Sequence, residues 1–179
     1  NYFYVPGSGV YQIDTNGKVK KTIDNDSDWG EIADMATYNS NIYLLDRGKD
    51  EVYKYLVTDN GFSGKSSYFK SGQSTDLSWV KSLAIDSSIY LGGGNTIIKF
   101  TSGLRDGFKM NLPNTNVNFI KVLATKASDS LYAWDKSAAN VYLMDKDGTF
   151  QSQVNSTSLD GASDIAFYNN TIFVIVGNK

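Results

Sequence analysis

The sequence predicts an all-β protein, a β-propeller built from four-stranded antiparallel blades, and three observations predict it. A pattern of short strands recurs about every 45 residues. Asn-Gly or Asp-Gly pairs follow one strand of every repeat. Composition favours strands and turns: 12 Tyr and 9 Phe in 179 residues, and only Glu31 and Glu51 as Glu against an abundance of Asp. Aromatic residues suit a pleated half-buried surface, whereas Asp competes for local backbone groups and suits turns.

The repeat begins with an apolar strand ending in a bulky residue and Ala. Its copies are Ile32 to Ala36, Val80 to Ala84, Ile120 to Ala124 and Ala162 to Ala166, with the alanines 48, 40 and 42 residues apart. A polar turn leads to a second strand: Asn41 to Leu45, Ser88 to Leu91, Ser130 to Trp134 and Thr171 to Ile175. Asn1 to Val5 reads as a fifth copy of that strand. A third strand follows at Gly9 to Ile13, Glu51 to Tyr55, Thr96 to Phe100 and Asn140 to Met144. After it come Asn16-Gly17, Asn60-Gly61, Asp106-Gly107 and Asp147-Gly148, pairs that accept positive φ and signal hairpins into a polar fourth strand. Four short strands per 45 residues is the size of a propeller blade. The small Ala36, Ala84, Ala124 and Ala166 suit the crowded axial side. Met35, Leu83, Leu123 and Ile165 are expected between sheets, with Tyr43, Tyr90, Tyr132 and Phe173 further out. The repeats fall at about 1–28, 29–75, 76–116 and 117–158, with a partial one at 159–179. Because the first and last copies are incomplete, the chain reads as one propeller domain or, preferably, an excerpt of a larger propeller.

Ile42-Tyr43-Leu44-Leu45-Asp46-Arg47-Gly48 followed by Glu51-Val52-Tyr53-Lys54-Tyr55 resembles the NHL-like and YncE-like blade, in which a strand ending in Asp turns into a Val-containing strand. Leu131 to Asp135 and Val141 to Asp145 repeat the pattern more loosely; Leu91 to Asn95 and Ile175 to Gly177 lack the Asp. The style is similar to extracellular propellers of uncharacterised bacterial membrane proteins, including those of candidate-phylum bacteria. The resemblance implies a binding surface on the face carrying the loops before the first strand and between the second and third. That face takes Asp28, Trp29, Arg47, Asp50, Trp79, Asn95 and Asp135 as candidate ligand-binding residues, for a protein, peptide or glycan. For Trp29 and Trp79 the competing role is a wedge between blades.

Composition narrows the chemistry. No Cys and no His are present, which excludes thiolate and imidazole zinc sites, Cys nucleophiles and Ser-His-Asp hydrolysis within these residues. A net charge of -2 argues against nucleic acid, and no apolar run is long enough to insert in a membrane. Asp24-Asn25-Asp26-Ser27-Asp28 spaces its carboxylates as a Ca²⁺ loop does. Trp29 and Met35, however, stand where such a loop needs Gly and Glu. It reads as a solvated loop, the alternative being a weak Ca²⁺ site if several Asp converge from adjacent blades; Lys65 reads as a scattered surface charge, and no metal ligand or cofactor is assigned. Asp46, Asp135 and Asp145 end strands, where carboxylates accept turn N–H groups. The expected function is non-catalytic binding, as an extracytoplasmic sensor, adhesion or scaffold part tethered at the cell surface by a segment not present here. Association with missing blades or with another copy would accompany it. The alternative is a carbohydrate-active enzyme fragment using an Asp pair on the loop face.

Overall fold

The computed structural model describes residues 1–168 and 171–177, which form two compact units, Asn1–Ser78 and Trp79–Lys179. In the first unit, β1 (Tyr2–Val5), β2 (Gly9–Ile13) and β3 (Val19–Asp24) make an antiparallel three-stranded sheet. The second sheet follows with β4 (Ile32–Tyr38), β5 (Asn41–Asp46) and β6 (Glu51–Tyr55). A small hairpin of β7 (Val57–Thr58) and β8 (Gly61–Phe62) then intervenes before β9 (Ser66–Ser67) closes the sheet beside β6. Period-2 alternation lets each strand present an apolar row to its neighbour. Val10, Ile23, Ile42, Leu44 and Tyr55 are buried between the two sheets, with Tyr2, Tyr4 and Met35 packed against them.

The second unit holds two complete four-stranded sheets. One is β10 (Ser82–Ile85), β11 (Ser88–Gly93), β12 (Thr96–Thr101) and β13 (Leu104–Arg105). The other is β14 (Phe119–Ala124), β15 (Ser130–Asp135), β16 (Asn140–Asp145) and β17 (Phe150–Asn155). After a single 3₁₀ turn at Thr157–Leu159, β18 (Ala162–Tyr168) and β19 (Thr171–Val176) pair as a two-stranded sheet. Ala84, Tyr90 and Ile97 pack on Phe119, Val122, Leu131, Tyr142 and Met144, and Tyr132, Trp134 and Val141 pack on Ile165. Ser82 Oγ accepts the Val122 N–H (3.2 Å), tying the two first strands together.

The all-β architecture of stacked antiparallel blades matches the sequence reading, with three local corrections. Asn60-Gly61 serves the inserted β7–β8 hairpin and leaves the fourth strand of its sheet only two residues long. Asp106-Gly107 lies beyond β13. The β12–β13 turn is Ser102-Gly103, with φ of 52° and 79°, a conformation Gly adopts freely and Ser tolerates at a cost. Ala84 and Ala124 do not stand apart from the inter-sheet layer but lie in it, from opposing sheets. Ala84 is opposite Tyr90 in register, whereas Tyr132 is opposite Leu123. The longer β14–β15 turn moves the register by one residue, and a one-residue move exchanges the faces.

Candidate functional site

Where a second strand ends in Asp, the carboxylate is consumed by backbone. Asp46, fully buried, accepts the Gly30 N–H at Oδ2 (2.7 Å) and those of Glu31 (2.9 Å) and Gly48 (3.1 Å) at Oδ1. Asp135 accepts the Asn118 N–H at Oδ2 (2.9 Å), and at Oδ1 the Ser137 hydroxyl (2.6 Å) and Ala138 N–H (3.2 Å). Each therefore clamps the start of a first strand to the turn after the second. Both oxygens of each carboxylate are committed to these bonds. The bonds of Asp135 give it a positioning role.

The remaining candidates in the first unit are also engaged. The Trp29 indole N–H donates to the Tyr55 hydroxyl (3.1 Å), and its ring meets those of Tyr4 and Tyr55 edge to face. It is the wedge of the two roles considered, and burial pushes the Tyr55 phenol up to about 12. Asp28 is exposed, and its Oδ2 accepts from Lys65 Nζ (3.1 Å), which also donates to Asp26 (2.7 Å). Lys65 lies over the Tyr53 ring, 5.4 Å from its centroid. The ammonium occupies the position a cation would take between these carboxylates, which corrects the reading of Lys65 as an isolated surface charge. Its hydrogen bond holds the Asp26 carboxyl below the usual range. Arg47 donates to the Glu31 carboxylate, and Glu31 in turn raises the guanidinium pKa. Asp50, with φ of 54°, accepts the Leu77 N–H (2.8 Å).

In the β10–β13 sheet the equivalent of Asp46 and Asp135 is Gly93. A Cβ there would lie 2.4 Å from the Trp79 carbonyl oxygen, so close backbone approach replaces the carboxylate clamp. Trp79 itself is half-buried. Beyond the strand, Gly94 pairs with Phe119 in an isolated antiparallel bridge. This holds the exposed Asn95 beside the connection that leads into β14. Asn95 and that connection enclose a cleft of about 240 Å³, with Met110, Leu112 and Val117 as its apolar wall and Asn114 and Thr115 as its polar rim. Asn114 Oδ1 accepts the Asn116 N–H (2.9 Å), and Asp135 fixes the next residue after Val117 through the Asn118 N–H. Of the candidates, only Asn95 lines this cleft. The other walls escaped sequence reading because residues 108–118 carry no repeat motif. The polar run Asn114-Thr115-Asn116 after Pro113 marks them as a long connection, and long connections in compact folds are where sites gather.

These sheets are blades, and the fold class is the β-propeller. No protein-family model and no curated protein matches the sequence. Solved structures do. Virginiamycin B lyase from Staphylococcus aureus, in a histidine-to-alanine form described as catalytically inactive and bound to quinupristin, is 13% identical at a TM-score of 0.57, over 95% of this chain and 63% of that one. A streptogramin B lyase is 13% identical at 0.62, over 94% and 55%. An auxiliary nutrient binding protein from Bacteroides ovatus is 16% identical at 0.55, over 85% and 37%. The chain thus spans less than two thirds of each. Such likeness shows the fold, and it overturns the expectation of a protein without catalysis: the propellers this chain resembles include enzymes as well as a binding protein. The histidine whose loss accompanies inactivity in the lyase has no counterpart among these 179 residues, which contain none.

Proposed function

We propose that this chain contributes ligand recognition to a propeller, through the cleft beside Asn95, and that the ligand is a short peptide segment. The observation that carries the reading is the composition of the cleft: an apolar wall of Met110, Leu112 and Val117 under a rim of Asn95, Asn114 and Thr115. An apolar side chain fits the wall, and amide and hydroxyl groups on the rim match peptide N–H and C=O groups. A sugar is the poorer fit, because no aromatic ring lines the cleft and Trp29 is spent as a wedge. Ligand recognition is common to enzymes and binding proteins of this fold, so the proposal holds for either.

A peptide array probed with the purified chain tests it. Peptides with one large apolar residue should be captured. Asn95→Ala and Thr115→Ala together, both at exposed positions, should weaken capture about tenfold, the loss of one or two hydrogen bonds. Capture indifferent to both changes, or capture confined to a glycan array, would overturn the reading. Mass spectrometry of recovered peptides reads whether binding leads to chemistry.

A further inference from the structure

One ammonium of the second unit is left without a carboxylate, and the repeat shows why. Lys81 and Lys121 are equivalent, each the second residue of its copy: Val80-Lys81-Ser82-Leu83-Ala84 and Ile120-Lys121-Val122-Leu123-Ala124. Each side chain reaches toward the next first strand. Lys121 Nζ donates to the Asp164 carboxylate of β18. In β14 the place of Asp164 is taken by Val122, so the same reach from Lys81 meets no acid. Its Nζ stands 3.5 Å from Asn118 Oδ1, at the long limit of a hydrogen bond to a neutral acceptor. Lys65, Lys99 and Lys146 also reach carboxylates, whereas among the described residues Lys81 makes no ion pair.

The partner of Lys81 places this ammonium at the cleft. Asn118 follows Val117 of the apolar wall, and Phe119 after it bridges to Gly94, the neighbour of Asn95. The Gly94–Phe119 bridge thus joins the two sides of the cleft at one end, and Lys81 Nζ is held at that end. Lys81 and Asn118 are both exposed, so a ligand in the cleft reaches the ammonium without displacing a packed group. The net charge of -2 gives the chain no general attraction for anions; an anion held here is held locally.

Resting on the reading of this cleft as a peptide site, we infer that Lys81 is its specificity-determining residue and that the peptide it takes carries a carboxylate. That group is an Asp or Glu side chain or the peptide's own C-terminus. A carboxylate accepts a shorter and stronger charge-assisted bond than an amide oxygen does, so it replaces Asn118 Oδ1 at Lys81 Nζ. One ammonium matches one negative charge, and the Asn118 amide beside it has N–H donors for the second carboxylate oxygen. Because Asn118 is the next residue after Val117, the carboxylate belongs one or two residues from the apolar side chain that fills the wall.

Fluorescence anisotropy with short labelled peptides, each holding a single Leu among Gly and Ser, tests this on the purified chain. The reference peptide is a neutral C-terminal amide. Its variants carry Glu two residues before the Leu, Glu two residues after it, or a free C-terminal carboxylate two residues after it. At least one acidic form should bind about fivefold more tightly than the neutral amide, and which form does so identifies the source of the carboxylate. The preference should shrink in about 0.5 M salt. Lys81→Met should abolish it, leaving the affinity for the neutral amide and the thermal melt unchanged, and Lys81→Arg should keep it. Lys70→Met, the same loss of charge at an exposed position of the other unit, should leave it intact. Equal affinity for acidic and neutral peptides, or a preference that survives Lys81→Met, overturns this inference; if Asn95→Ala with Thr115→Ala still weakens binding, the cleft reading stands. Binding of no peptide, or indifference to that double change, overturns the cleft reading and this inference with it.

Discussion

The ends of β5 and β15 and the end of β11 solve one problem in two ways. The second strand must be fastened to the start of the first strand and to the turn that follows. At Asp46 and Asp135 a buried carboxylate collects backbone N–H groups and one hydroxyl. At Gly93 no side chain is present, and the strand lies directly against the Trp79 carbonyl and the Lys81 N–H. The first strand responds. β4 and β14 carry a register shift opposite the Asp, between Ile32 and Asp34 and between Phe119 and Lys121. β10 pairs with β11 without one. β18 carries the same shift opposite Val176, so the shift accompanies a side chain at this position, Asp or Val, and is missing where Gly93 has none and the backbones close. The difference also decides what the turn can do. Arg47 and Asp50 are engaged with Glu31 and Leu77, whereas the turn after Gly93 projects Asn95 into a cleft.

Removing a clamp should have the largest effect. Asp46→Ala leaves several N–H groups unsatisfied at a buried position and should cost about 3 kcal/mol or more, read as a lower urea midpoint. Asp135→Ala should cost a similar amount and should also weaken peptide capture, because Asn118 is released beside the cleft wall. A fall in stability with capture intact would break that link.

Gly93→Ala comes next. Its Cβ meets backbone that cannot step aside, and overpacking of this kind costs about 1–3 kcal/mol. Gly94→Ala meets no atom within 4 Å, but its φ of 54° makes it strained for a different reason. A tolerated Gly93→Ala would show that the close approach is not what fixes this sheet.

The smallest effect is electrostatic. Opposite Asp46 in register stands Glu51, where the other two sheets place Thr96 and Asn140. Burial raises its carboxyl pKa above 4.5, and the Asp46 charge adds to the rise, against hydrogen bonds from Ser67 and Val52. A raised folded pKa favours the protonated form. That contribution is complete below the unfolded value and is lost as pH rises through the folded one. Glu51→Gln should therefore raise the thermal midpoint slightly at pH 7, with the gain vanishing below about pH 4.5. A gain that persists in acid would assign the effect to packing.

Much of this was legible in the sequence because its signals are local. The strand positions follow from alternation and spacing, and Asp46 and Asp135 declare themselves by their place at strand ends. Trp29 showed both of its possible roles, and only its bond to Tyr55 decided between them. The cleft was not legible beyond Asn95, because its wall comes from a connection without periodicity. Lys65 was misread because its carboxylate partners lie 39 and 37 residues away, in a different sheet's loop.

By itself, then, the sequence determined strand order, turn chemistry and the repeat, since backbone preference and side-chain alternation act over a few residues. The tertiary structure alone decided which polar groups are consumed and which apolar faces are covered. Tyr90 and Phe173 occupy equivalent places in their repeats, yet one is buried and the other half exposed. Alternation assigns a residue to a face; only the sheet stacked against that face removes it from water.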